Sequence, residues 1–245
     1  MALFTHDNPV VLEPLEHRYF DTNGLEYTSW SKMIEGYKIP FDADNISFNM
    51  AGRNRSKQKV LLKEWDDNNK VACDRGDYYH DNLETYGLTG EIIDKGNETT
   101  EMFIRQIGQF MEPYYHKHFE QTMWFEEFRL AATADLPLAH KKYTSINEQW
   151  VDIFDYKTNM KGIDYISTYK KRMLYPLEHL TECKYTTYAL QLSFQGYLME
   201  RNWDYKVGRL GIIYIPEDPL MWHIIPVPYM KKEVEALIYN FTKTR

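Results

Sequence analysis

Residues Val151–Gly162 read VDIFDYKTNMKG, an apolar and aromatic run of Val151, Ile153, Phe154 and Tyr156 that ends in charge. β-Branched and aromatic residues at this density read as a strand in a core. Side chains alternate faces along a strand, so Asp155 and Lys157 emerge on the side of Val151 and Ile153, while Phe154 and Tyr156 cover the other. Both faces are wanted by a core, which puts the strand at the centre of a sheet. Desolvating two charges is costly unless they are paired or bind something. An ion pair that only holds sheet register is the plain structural alternative, and a functional site is the stronger one.

Working outward, the stretch Met123 to Leu138 reads as a preceding strand with an apolar face of Phe128, Leu130, Ala132, Ala134 and Leu136, interrupted by Asp135 in LAATADLPL. Two carboxylates and a lysine at the ends of adjacent central strands can hold a divalent ion, and magnesium prefers such oxygen ligands. The backbone carbonyl of Tyr156 offers another oxygen. Lys157 can orient or deprotonate a water and offset charge developing on a phosphate. Glu126 and Glu127 are excluded from this ion unless the strand folds back, because eight extended residues from Glu127 to Asp135 span roughly 26 Å at about 3.3 Å per residue.

Upstream, the pattern from Arg53 to Tyr86 is helical, as one helix or two, with Leu61, Trp65, Ala72, Gly76, Tyr79 and Leu83 at three- to four-residue spacings and Gly87 as the stop. DRGDYYHDNLE within it puts His80 and Glu84 on one face, with Gly76 a turn earlier where the helix can approach a sheet closely. His80 is a further ligand candidate. Glu84 can support a ligand or simply face solvent. Arg55, Lys59 and Lys63 line one helical face, either as a phosphate-binding stripe or as an ordinary solvated surface. Lys141, Lys142, Lys161, Lys170, Lys171 and Arg172 are the other basic candidates.

A second amphipathic helix is expected over Glu101 to His118. HRYFDTNGLEY alternates around Asn23-Gly24, the signature of a tight hairpin. Ser29 then caps a short helix over Trp30 to Glu35 that ends at Gly36, and Pro40 with DADN reads as a linker. Tyr185 to Arg201 is helical, with Tyr188, Gln191 and Gln195 on one stripe, and buried amides there need partners. Gly208 to Ile215 and Met221 to Val227 form a strand pair, and Lys231 to Thr242 a terminal helix. The order implies an α/β fold with a mixed central β-sheet flanked by helices.

The chain has 245 residues, 43% hydrophobic and 16% aromatic, enough for one sizeable domain. Two cysteines, Cys73 and Cys183, exclude a disulfide framework, an iron–sulfur cluster and a four-thiolate zinc site. A net charge of -7 argues against a wholly basic nucleic-acid coat, though not against a local basic groove. No apolar run is long enough to span a bilayer, and MALFTHDNPV lacks the pattern of a secretion signal, so a cytoplasmic location is expected.

Four blocks, Gly76 to Glu84, Ala132 to Leu136, Phe154 to Thr158 (FDYKT) and Tyr188 to Tyr197, resemble the RecB-like branch of the PD-(D/E)XK nuclease superfamily, and within it the phage and mitochondrial genome maintenance exonuclease group. DYKT is the most specific. Ala132 stands where family members often have Gly, and Gln195 where a Tyr is usual. The resemblance implies a restriction-endonuclease-like core over residues 53–245 behind an N-terminal elaboration, residues 1–52. It implies a deoxyribonuclease that uses one or two Mg or Mn ions. Asp135, Asp155 and Lys157 would be catalytic; His80, Asp135, Asp155 and the Tyr156 carbonyl would hold metal; Glu84, Tyr188, Gln191, Arg55, Lys59 and Lys63 would support the site or bind DNA. The implied substrate is single-stranded DNA with a free end, in replication, repair or recombination, with a structure-specific or nicking endonuclease or a non-catalytic nucleic-acid-binding protein as alternatives.

Overall fold

The computed structural model describes residues 9–13, 16–140, 149–167 and 170–243. It opens with strands β1 (Val10–Glu13), β2 (Arg18–Asp21) and β3 (Glu26–Ser29), joined antiparallel in sequence. The Asn23-Gly24 turn forms as expected, because the Asp21 carboxylate accepts the N–H groups of Asn23 and Leu25 at 2.8 Å and Gly24 takes a φ of 78°. Ser29 caps α1 (Trp30–Glu35) by accepting the Lys32 N–H.

The stretch read as a linker is instead the start of a helix. Asp42 accepts the Asn45 N–H and caps α2 (Ala43–Met50). Asn54 caps α3 (Arg55–Thr89), a single helix of 35 residues. Gly87 does not stop it: the Phe119 ring packs against Gly87 where a side chain would stand, and Gly90, at a φ of 76°, ends the helix. Gly76, by contrast, has room for a side chain against Thr158. The next helix, α4 (Glu98–Met111), starts earlier than expected because Asn97 caps it, and it ends before the short strand β4 (His116–Lys117).

The single strand expected over Met123 to Leu138 is three. β5 (Gln121–Phe125) runs into a 3-10 turn (Glu126–Phe128), Arg129 takes a left-handed φ of 50°, and the chain returns as β6 (Leu130–Ala134), antiparallel to β5. After Asp135 it continues as β7 (Leu136–Ala139). Then follow β8 (Gln149–Lys157), α5 (Lys184–Trp203), β9 (Tyr205–Tyr214), β10 (His223–Val227) and α6 (Lys231–Lys243).

The strands form two mixed sheets where one was expected, in the orders β1-β2-β3-β6-β5 and β10-β9-β8-β7-β4. The β3–β6 and β8–β9 pairs are parallel and the rest antiparallel. The fold is thus mixed α/β. Asp135 is the residue at which the chain leaves one sheet for the other.

β8 divides the interior. Val151 and Ile153 join a cluster with Trp30, Met33, Leu190 and Phe194, and Phe154 and Tyr156 join another with Tyr79, Phe103 and Ile107. Trp30 stacks on Phe194 at 5.0 Å, so α1 is built into the same core as α5. Each such fully buried side chain contributes about 2 kcal/mol of burial free energy. Among the described residues, no helix is long and apolar enough to cross a membrane.

Candidate metal centre

β8 presents Asp155 and Lys157 on one face, as the alternation requires. Asp155, 1% exposed, pairs through Oδ2 with Lys157 Nζ and accepts the Gln191 side-chain amide at 3.0 Å on Oδ1. The Lys157 ammonium lies 5.0 Å above the Tyr188 ring, whose hydroxyl donates to Asn159 at 3.1 Å. Tyr188 and Gln191 are therefore gathered at the site.

Asp135 reaches the same place from the junction of the two sheets. Leu136 is opposite Phe154, and the Tyr156 N–H donates to Asp135 Oδ2 at 2.9 Å. Within a strand, a residue's N–H and C=O point to the same edge, so the Tyr156 carbonyl emerges on the Asp135 side. The Lys157 carbonyl points the other way and accepts the Ile215 N–H.

His80 comes from the middle of α3. Its Nε2 is 3.6 Å from Asp135 Oδ2 and its Nδ1 is 3.5 Å from Glu120 Oε1. One ligand atom each from His80, Glu120 and Asp135 lie within 4.8 Å of one another, a group that can hold a metal ion. Glu120 was not singled out from the sequence. It arrives because the hairpin pairs Gln121 with Ala134, and the Glu120 N–H donates to the Asp135 carbonyl at 3.1 Å. The reversal uses Glu126 to Arg129, without the Gly, Pro or Asn that announces a turn; its one trace is the aromatic pair Phe125 and Phe128, in contact at 4.6 Å between ring centroids with planes inclined by 55°.

The charges in this cluster do not balance. Burial would lower the His80 pKa, but the Asp135 charge and the Glu120 hydrogen bond outweigh it and raise it to about 9. Burial likewise opposes the Lys157 ammonium, and the charges of Asp155 and Asp135 still hold it protonated. Asp155 is nonetheless pushed up, by burial and by Asp135, against the pull of Lys157. Three carboxylates, Asp135, Asp155 and Glu120, face two cations, Lys157 and protonated His80, so one negative charge is left over, and His80 gives up its proton when it ligates a metal. The Tyr156 hydroxyl is buried with no hydrogen-bond partner among the described residues. Hard oxygen donors, one imidazole and uncompensated negative charge fit a divalent cation such as Mg or Mn.

Glu84 stands one turn beyond His80, its carboxyl raised by burial and by the charges of Glu120 and Asp81. Gln195 is not at the centre: its amide donates to the Thr133 carbonyl at 2.9 Å and ties α5 to β6. Glu127, in the turn itself, pairs with Arg201 at 3.5 Å. The chain does fold back, yet it delivers Glu120 rather than Glu126 or Glu127. Arg55, Lys59 and Lys63 sit in the first turns of α3, and the helical rise separates Lys63 from His80 by about 25 Å. Arg55 is 3.3 Å from Asp44 and Lys63 is 3.7 Å from Asp67. Arg75 is closer, but its guanidinium is engaged by the carbonyls of Thr158, Ile215 and Pro216 and braces the strand ends. Lys141 and Lys142 lie outside the described residues.

No family model and no curated protein matches this sequence. Among solved structures, the crystal structure of a protein from Eubacterium rectale described as a "Putative exonuclease" is similar over 89% of this chain and 79% of its own, with 16% identity and a TM-score of 0.41.

Proposed function

We propose that this chain is a divalent-metal-dependent nuclease that hydrolyses DNA phosphodiester bonds, with a RecB-like PD-(D/E)XK core. The observation that carries this reading is the convergence of His80, Glu120 and Asp135 within 4.8 Å beside the buried Asp155–Lys157 pair. A helix, a strand and two connections between strands supply these groups, and the order His80, Asp135, Asp155, Lys157 along the chain is that of the nuclease blocks.

In this reading His80, Glu120, Asp135, Asp155 and the Tyr156 carbonyl hold the cation. When bound, a divalent ion lowers the pKa of a coordinated water and offsets charge on the scissile phosphate. Lys157 would orient the attacking water and donate to a phosphate oxygen. Gln191 fixes Asp155, so that its carboxylate is presented in one orientation.

The substrate we propose is single-stranded DNA with a free end. The test compares a linear single strand with a covalently closed circle of the same sequence in Mg, Mn, Ca and excess chelator. The expected result is degradation of the linear strand in Mg or Mn, with Ca binding but not supporting turnover. Cleavage in excess chelator would overturn the metal-dependent reading. Equal cleavage of the circle would replace the exonuclease by an endonuclease on the same site.

A further inference from the structure

The first turns of α5 carry a line of side chains that ends at the Asp155–Lys157 pair. Tyr185, Tyr188 and Gln191 are three residues apart and share one face. Gln191 holds Asp155 and Tyr188 lies beneath Lys157. Tyr185, farthest out, packs against Tyr165 with ring centroids 4.8 Å apart and planes inclined by 36°.

The two rings of that outer pair differ in how they are held. The Tyr185 hydroxyl donates to the Pro226 carbonyl and its N–H to the Asp164 carbonyl, each at 3.1 Å, so its ring is a fixed backing. Tyr165 is 55% exposed and the next residue, Ile166, is 76% exposed. The Asp164 carboxylate accepts the Lys184 N–H at the start of α5 at 3.3 Å, which ties the Tyr165 segment to that helix. Exposed Lys161 and Lys184 flank the pair in the chain, two cations beside the Asp164 carboxylate that can meet the phosphates of a strand whose base is stacked there. The helix rises about 9 Å from Tyr185 to Gln191, two to three stacked nucleotide steps at about 3.4 Å each.

We infer that Tyr165, backed by Tyr185 and extended by Ile166, is a stacking platform for an unpaired base two to three nucleotides from the phosphate at Lys157. An aromatic face accepts any base, but only one whose own face is free, so the platform selects single-stranded over duplex DNA at this point. The location of the phosphate rests on the nuclease reading; the platform itself does not.

The test measures binding by fluorescence anisotropy in Ca, for a single-stranded oligonucleotide carrying 2-aminopurine and for its duplex, with metal-dependent cleavage assayed separately. Tyr165→Ala should weaken single-strand binding about tenfold and lose the 2-aminopurine quenching seen with the wild type. Tyr165→Phe should stay within about twofold, because the ring and not the hydroxyl stacks. Ile166→Ala, at the more exposed position, should show a smaller loss in the same direction. Duplex binding should not change. Equal losses on duplex and single strand, no loss in Tyr165→Ala, or no single-strand binding by the wild type would each overturn the platform. A change in self-association by light scattering in place of DNA affinity would make the surface a protein contact and overturn it too. If the wild type cleaves in no metal while the Tyr165→Ala defect persists, the nuclease reading falls and the platform stands; cleavage without that defect leaves the reverse.

Discussion

Replacing Glu120 by Gln should weaken Mn binding about thirtyfold. Glu120 Oε1 and Asp135 Oδ2 approach opposite nitrogens of one imidazole at 3.5 and 3.6 Å, so the variant removes one of the two carboxylate charges in that group of three and keeps the side chain's shape. A unit charge about 4 Å from a divalent ion contributes about 8 kcal/mol at an effective dielectric of about 20, most of it offset by the cost of desolvating both partners. The Glu120 side chain is 33% exposed, so solvent screens part of this and a replacement water takes up part of the coordination. About 2 kcal/mol remains, or about thirtyfold in the dissociation constant. Isothermal titration with Mn on the wild type, Glu120→Gln, Asp135→Asn and Glu127→Gln measures it. Glu127 is in the hairpin turn, at the opposite end of β5 from Glu120 and paired with Arg201, and its variant should bind like the wild type. If Glu120→Gln binds Mn as tightly as the wild type while Asp135→Asn does not, the hairpin delivers no ligand and the centre is built without Glu120.

Lys157→Ala should lose turnover while metal and DNA affinities stay within a few-fold, and cleavage at the wild-type rate would refute the role given to the ammonium. Asp152 is fully buried and meets His140, Tyr114 and Arg209 at 2.7 to 2.9 Å. Burial would raise its pKa, but these partners hold it below the ordinary carboxylate value. Its contribution is therefore present above the unfolded carboxylate pKa and lost as pH falls through the folded one; Asp152→Asn should cost about 3 kcal/mol in urea unfolding at neutral pH, with the gap closing in acid. Gly87→Ala drives a methyl into the Phe119 ring, next to Glu120, and should destabilise the fold by about 1–3 kcal/mol in thermal melts. Alanine at Arg55, Lys59 and Lys63 together should flatten the salt dependence of binding only for strands long enough to span about 25 Å from the centre, about seven stacked nucleotides; an equal effect on shorter strands would show that they act elsewhere.

The elements that the sequence determined alone are those whose information is local. Asp21, Asn23 and Gly24 build their turn from within a few residues, and Ser29 caps the helix that follows it. The alternation in Val151 to Lys157 fixes which side chains share a face whatever the sheet around them, so Asp155 and Lys157 were legible as a pair. The N-caps at Asp42 and Asn97 were equally local, and reading them would have corrected the linker and the start of α4.

What only tertiary structure decided depends on groups far apart in the chain. Gly87 and Gly90 are alike in sequence, and the Phe119 ring selects which of them ends α3. An apolar stretch from Met123 to Leu138 suits one strand or two, and Arg129 in a left-handed conformation, held by the Phe125–Phe128 contact and the pairing of β5 with β6, makes it a hairpin. That reversal splits the sheet and carries Glu120 from fifteen residues away in sequence to Asp135. Periodicity reports which face a residue occupies, but a ligand set depends on where faces from different elements meet, and burial of two separate cores on either side of β8 fixes that meeting point.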